Sequence, residues 1–424
     1  MGESLATVRD PRGSDALSPA VAPGGYPLVG PHAAPLYATG APGVLTDGRE
    51  EYPVVAGIPY LIAGSTRPGL EGLRQRACAA LRDGDERAAL RLLLRDQDRF
   101  SPTPPPSEAA VDQLIERRDD PALTLRGAMR LLDYGPVADY FAHRWSSPTF
   151  LSGLALLGRT ASTTRPVIEV ACGLGHFLRA LEGRGCAAVG IDIVFSKLWL
   201  ARHFVGVRGL LVCGDIERSP VLAPGPPDAD ADRSHTVFCH DAFYFFEHKR
   251  AALTSLRSLA RHGAVALGHV HTRTDAHEAG FAARLTDYRA ILPPGAPLLD
   301  DLALARAYVA DEATYPEATR RSAALATLTG KLPERLLTFA PPRRSLRVNP
   351  LLTPAGDLAY PSAGWRAEFE ADSAPLGEYG LAASAKTPRV RALLRGEVGI
   401  DDLSDAEVAA LYRRRVLLDL PARW

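Results

Sequence analysis

The chain has 424 residues, 46% hydrophobic and 23% charged, which suits a protein that buries a real core and is long enough for more than one domain. Its 49 Lys and Arg balance 49 Asp and Glu, and without a basic excess nucleic acid is disfavoured as a partner. The five cysteines form no C-x-x-C pair, which argues against a zinc ribbon and a disulfide framework and fits a reducing cytoplasm.

The opening "MGESLATVRDPRGSDALSPA" has no apolar core of the signal-peptide kind. Residues 1–20 are expected as a disordered tail. No apolar run reaches the length of a membrane span. Residues 21–66 are rich in Gly and Pro, with β-prone runs at Tyr52–Val55 and Ile58–Ile62 separated by Ala56-Gly57; a small β-rich unit is expected. From 67 to 135 leucines and alanines fall at helical spacing, as in "LRQRACAALRDGDERAALRLLLRDQ".

From 136 the pattern alternates. A helix "SPTFLSGLALLGR" precedes the strand Val167–Ala171. Strands follow in "CAAVGIDI", "GLLVCGDI", "HTVFCHDAF" and "AVALGHV", with helices between them. Five such strands predict a doubly wound α/β core with a mostly parallel sheet. Residues 274–333 read as a helical lid insertion. "RLLTFAPPRRSLRVNPL" reads as an antiparallel hairpin closing the sheet edge, so the core is expected over 136–273 and 334–372. A helical segment, 373–424, ends the chain, with a capping box at Ser404 and Glu407.

The turn after the first strand, "EVACGLG", holds Gly173 and Gly175, but Leu178 stands where a dinucleotide-binding turn has its third glycine. Glu169 lies at the end of that strand, where an acid would repel a pyrophosphate and suit an ammonium group. Asp192 ends the second strand and can accept from both ribose hydroxyls. Asp215 ends the third and can accept from an adenine amino group, with Ile193 and Ile216 flanking the ring. Three acids on successive strands make one row along the carboxyl edge, where open α/β sheets bind ligands.

These motifs resemble those of the class I S-adenosylmethionine-dependent methyltransferase family. Ala171 replaces the first glycine of the family's loop; Cys172, Gly173 and Gly175 complete it. The resemblance implies a Rossmann-like fold, S-adenosylmethionine as cofactor, and a cofactor site that includes Glu169, Asp192 and Asp215. It also places His240, in "VFCHDAFYFF", in the motif that contacts cofactor and substrate. Arg144 is the residue expected to pair with the cofactor carboxylate. Upstream, "EEYPVVAGIPYLI" resembles the end of the zinc-ribbon domain that accompanies some RNA methyltransferases. Its cysteine knuckles are missing and His32 is the sole candidate ligand, so no metal is expected there.

Candidate bases cluster after the fourth and fifth strands: His240, Asp241, Tyr244 and His248, then His269, His271 and His277. His269 and His271 are two apart, so strand alternation aims both to one side. They and Tyr244 are the catalytic candidates. A metal held by His240, His269 and His271 is conceivable, but none is expected. The expected activity is methylation of a small organic acceptor, secondary metabolites included, at O or N. Four alternatives share the fold: aminocarboxypropyl transfer, cyclisation, RNA methylation, and a non-catalytic cofactor-binding subunit. A homodimer is compatible with the long terminal helices.

Overall fold

The computed structural model describes residues 21–22, 26–30, 34–63, 72–97, 103–219, 221–222, 234–273, 280–313, 316–337, 343–366 and 386–424. The expected tail, His32 and His277 lie outside them.

Tyr37–Ala38 (β1), Val44–Thr46 (β2), Glu51–Val55 (β3) and Ile58–Pro59 (β4) pair antiparallel in sequence order. Ala56 and Gly57 join β3 to β4 with φ of 50 and 71, the doubly left-handed backbone that a two-residue hairpin turn requires. Beyond β4 the Leu61 N–H donates to Cys213 O at 2.7 Å, which fastens this small sheet to the edge of the central one.

Six helices follow: Leu73–Arg82 (α1), Glu86–Leu94 (α2), Glu108–Glu116 (α3), Leu125–Leu131 (α4), Val137–His143 (α5) and Pro148–Leu157 (α6). Asp85, Ser107, Thr124 and Ser147 start α2, α3, α4 and α6 by accepting a first-turn N–H.

The five expected strands are Val167–Val170 (β5), Ala188–Asp192 (β6), Leu210–Cys213 (β7), Thr236–His240 (β8) and Ala264–His271 (β9). Neighbours among them pair parallel. Helices His176–Glu182 (α7), Phe195–Leu200 (α8) and Lys249–Ala260 (α9) intervene. Every residue of these strands is buried, as a sheet covered on both faces demands.

The sheet is completed by residues expected to form a lid. After Leu285–Ile291 (α10) come Leu298–Asp300 (β10), Asp301–Ala310 (α11) and Ala324–Gly330 (β11). β11 pairs antiparallel with β9, and β10 antiparallel with β11. The order across the sheet is β10-β11-β9-β8-β5-β6-β7. The helical-lid reading of 274–333 is therefore corrected: α10 and α11 are present, but two strands of the central sheet lie among them, β10 at its edge and β11 next to it. "LLD" is too short, and "ALATLTG" too rich in Ala and Leu, to read locally as strands; the pairing of β11 with β9, and of β10 with β11, overrides propensity.

The antiparallel hairpin expected at the sheet edge is present, but β10 and β11 form it, so its assignment to "RLLTFAPPRRSLRVNPL" is corrected. Leu346–Val348 (β12) leaves the central sheet and pairs antiparallel with Leu417–Asp419 (β13), close to the C-terminus. Pro388–Leu394 (α12) and Asp405–Arg413 (α13) lie between them in sequence, and the capping box at Ser404 and Glu407 is formed. Thus 343–366 contributes no strand to the core sheet among the described residues. No helix among those residues is long and apolar enough to cross a membrane.

Candidate functional site

β5 lies between β6 and β8, so the order of the parallel strands reverses beside it. Ligands of open α/β sheets bind at the carboxyl ends of strands at such a reversal. The loop that leaves β5 is left-handed at Ala171 (φ 56), Gly173 (φ 54) and Gly175 (φ 73). A Cβ on Gly175 would lie 2.7 Å from Val207 Cγ2, so glycine is needed there for space as well as backbone angle. Ala171 has a Cβ and carries the left-handed penalty, about 1–2 kcal/mol.

Asp192 ties that loop to β6. Its Oδ2 accepts the Gly173 N–H at 2.8 Å, and Oδ1 accepts the Val194 N–H at 2.9 Å. Asp215, after β7, accepts the Glu217 N–H at 3.0 Å and is half-buried. The two isoleucines expected to flank a ring do not stand together. Ile193 is 48% exposed, whereas Ile216 is buried in the core with Ile168 and Val212. Cys172 is buried, and burial pushes its thiol well up.

Glu169 lies on the β5 face opposite Ile168 and Val170. Its side chain is buried and Oε2 has no hydrogen-bond partner. Burial pushes the carboxyl well above the usual range, and Arg144 offsets this in part. An orphaned buried carboxylate oxygen beside a left-handed glycine loop fits a ligand carrying an ammonium group. The half-exposed side chain of Ile193 and the acid of Asp215 fit an adenine. The residues present therefore suit an adenosyl amino-acid cofactor.

Arg144 sits in the short turn Arg144–Ser146. Its guanidinium donates to Asp241 Oδ2 at 2.8 Å, contacts Tyr140 Oη, and lies 3.1 Å from His240 Nδ1. His240 Nε2 in turn lies 3.2 Å from Ser152 Oγ. Burial, then the nearby Arg144, bring the His240 pKa down to about 3. The ring is neutral and wedged in place: a Cβ on Gly268 would come within 2.5 Å of its Cδ2. His240 underpins the site as a packed spacer between Arg144 and Ser152.

Past the reversal, Asp241 is left-handed (φ 57) and acts as a hub. Tyr140 Oη donates to its Oδ2 at 2.5 Å, and Tyr244 Oη to its Oδ1 at 3.1 Å. Burial alone would raise this carboxyl, but Arg144 and the neighbouring histidines hold it well below the usual range. Burial pushes the Tyr244 hydroxyl well up, and Asp241 adds to that. The His271 ring meets Tyr244 edge-on at 4.5 Å, and its Nε2 lies 4.0 Å from Asp241 Oδ1.

His269 reaches the same place by a different route from the one strand alternation predicts. The β9–β11 register shifts between Leu267 and Val270, and His269 has φ 47. This is a bulge, which re-aims a side chain. Asp301, at the start of α11, holds it: Oδ1 accepts the His269 N–H at 2.9 Å, and Oδ2 lies 2.7 Å from Nδ1. The His269 and His271 ring centroids end 4.7 Å apart. Sequence reasoning missed Asp301 and Tyr140; the one trace of Asp301 was the doubled acid in "LLDDLALARA", which reads as a helix cap. His248 is exposed, with its N–H bonded to Glu217, and takes no part in this cluster.

Residues 168–267, from β5 into β9, match the family model of the methyltransferase domain. That match bears out the resemblance to class I S-adenosylmethionine-dependent methyltransferases, and the cofactor with it. It leaves the N-terminal sheet, α1–α6 and the C-terminal segment outside. No curated protein matches the sequence. Among solved structures, a chain of the complex between the Haloferax volcanii Trm112 methyltransferase activator and a methyltransferase is 18% identical with a TM-score of 0.33, over 47% of this chain and 95% of its own. Magnesium protoporphyrin IX methyltransferase from Synechocystis PCC 6803 with bound SAH is 15% identical with a TM-score of 0.28, over 46% and 88%. A Bacillus halodurans C-125 methyltransferase is 20% identical with a TM-score of 0.27, over 36% and 69%.

Proposed function

We propose that this chain, built around a methyltransferase domain, transfers the methyl group of S-adenosylmethionine to an oxygen or nitrogen of a small organic acceptor. The observation that carries the reading is the pairing of two sites across one strand reversal. Glu169, Asp192 and Asp215 line the ends of β5, β6 and β7, and Asp241, Tyr244, His269 and His271 line the ends of β8 and β9.

When bound, S-adenosylmethionine supplies a methyl carbon activated by its sulfonium. Asp192 would accept from the ribose hydroxyls, Glu169 would face the ammonium, and Ile193 and Asp215 would meet the adenine. The acceptor would lie against Tyr244 and the two imidazoles. His269, with Nδ1 directed to Asp301, presents Nε2 as its basic nitrogen, suited to taking the acceptor's proton. Asp301 is a positioning residue in this scheme. A cytoplasmic setting fits five cysteines that are all free and buried.

The test is calorimetric titration of the purified chain with S-adenosylhomocysteine, S-adenosylmethionine and NAD, followed by product analysis with candidate hydroxyl and amine acceptors. Binding of both adenosyl compounds but not NAD, with S-adenosylhomocysteine as product, is the expected result. Methylthioadenosine as product would instead mean aminocarboxypropyl transfer. No binding of either adenosyl compound would refute the cofactor assignment.

A further inference from the structure

The acceptor side of the site carries a donor set of its own. Asp241, His269 and His271 each offer one ligand atom, and these atoms lie within 4.8 Å of one another. Two imidazoles and one carboxylate are a borderline donor set that suits first-row divalent cations such as Zn²⁺, Fe²⁺ or Co²⁺ and not Mg²⁺. Three protein ligands leave positions open for substrate, as catalytic sites do.

The surroundings match what such a site needs. Asp301 lies 2.7 Å from His269 Nδ1, the carboxylate–histidine arrangement that fixes a metal-binding ring with Nε2 outward. Arg144 and Tyr140 occupy Asp241 Oδ2, whereas Oδ1, which accepts from Tyr244 Oη at 3.1 Å, lies on the His271 side and would be the ligating oxygen. Charge points the same way. Asp241 and Asp301 bring two negative charges and Arg144 one positive charge, and imidazoles that ligate a metal are neutral. A divalent cation overcompensates by one charge, and an anionic acceptor oxygen restores neutrality.

We propose that Asp241, His269 and His271 hold a first-row divalent cation, and that the acceptor is a small molecule whose ionisable hydroxyl binds this cation. The proposal rests on the methyltransferase reading above and specifies its acceptor. The cation competes with the proton for the same imidazole nitrogens. With the cation in place, coordination makes the acceptor hydroxyl acidic, and its proton leaves to water rather than to imidazole. The oxygen's electron pair forms the new O–CH₃ bond as the S–CH₃ bond breaks. The sulfur keeps the two electrons of the broken S–CH₃ bond and becomes a neutral thioether.

The experiment uses the full chain stripped with a chelator. It is titrated with CoCl₂ under visible absorption and calorimetry, and in parallel with S-adenosylhomocysteine. His271→Gln and His269→Gln remove ligands, Asp301→Asn weakens the support, and His248→Gln is an exposed control. The wild type and the His248 variant should take up one cobalt ion per chain with ligand-field bands, and MgCl₂ should not compete. The two ligand variants should lose the bands, and Asp301→Asn should bind cobalt about 10- to 100-fold more weakly. Retained S-adenosylhomocysteine binding shows that each variant is folded. No cobalt uptake by a wild type that binds S-adenosylhomocysteine, or uptake unchanged in both ligand variants, overturns the cation site alone. Failure of the wild type to bind S-adenosylhomocysteine overturns the methyltransferase reading on which it rests.

Discussion

Asp192 offers the sharpest separation of structural from functional roles. Its carboxylate accepts two backbone N–H groups, from Gly173 at 2.8 Å and Val194 at 2.9 Å. Asp192→Asn keeps the size and one acceptor oxygen but sets an amide NH₂ against the other N–H. Hydrogen bonds to charged groups contribute roughly 1.5–3 kcal/mol, so one such loss should lower unfolding free energy by about 2 kcal/mol, read in urea. If the same carboxylate also takes the ribose hydroxyls, S-adenosylhomocysteine affinity should fall by a further 1.5–3 kcal/mol, or about 10- to 150-fold. Calorimetric titration below the variant's unfolding transition measures this. A variant that is less stable yet binds S-adenosylhomocysteine like the wild type would make Asp192 a loop anchor only, and the ribose assignment would fall.

Glu169→Gln should leave unfolding free energy within about 0.5 kcal/mol of wild type, because burial already disfavours the charged carboxylate. It should still weaken S-adenosylhomocysteine binding; calorimetry showing equal affinity would remove Glu169 from the ammonium site. His240, with a folded pKa of about 3 against an ordinary value of 6.5, binds its proton more readily in the unfolded chain. Stability is therefore unaffected above about pH 6.5 and erodes toward pH 3 by about 1.4 kcal/mol per unit. At about pH 5 that is ~2 kcal/mol, and His240→Gln should flatten the urea-measured pH slope by this amount. Ala171→Gly relieves a left-handed penalty of about 1–2 kcal/mol and adds about 0.5–1 kcal/mol of unfolded-state entropy. A net gain near 0.5 kcal/mol in unfolding free energy is expected, and a loss would mean that the Ala171 methyl is packed to advantage.

What could be read from the sequence divides along physical lines. The five parallel strands announce themselves because each is an apolar run buried on both faces and ended by a turn or an acid: "VIEV", "AVGID", "LLVC". The acids Glu169, Asp192 and Asp215 were legible because a strand end fixes their place. Strands β10 and β11 were not, since the Ala-rich "ALATLTG" becomes a strand only when β9 is there to pair with, and the three residues of "LLD" only when β11 is. β12 finds its partner in β13 near the C-terminus, and no local pattern encodes a pairing at that distance. Asp301 follows the same rule: its hydrogen bonds to His269 span 32 residues and depend on a bulge that periodicity does not reveal.

One backbone feature ties the two halves of the site together. β9, β8 and β5 are neighbours, and each ends or passes into a non-glycine residue in the left-handed region: His269 at φ 47, Asp241 at φ 57 and Ala171 at φ 56. Such residues cost of order 1–3 kcal/mol each and persist only where surroundings over-determine them. Those surroundings are identifiable for two of the three. The Asp241 N–H donates to Gly268 O at 2.9 Å, and the His269 N–H is held by Asp301. Gly268 lies immediately before His269, so the bond it accepts couples the turn after β8 to the bulge in β9. Moving His269 off Asp301 would therefore disturb Asp241, and with it Tyr140, Arg144 and Tyr244. The imidazoles and the carboxylate hub are best understood as one preorganised unit set against the cofactor loop, with strain concentrated where the two ligands would meet.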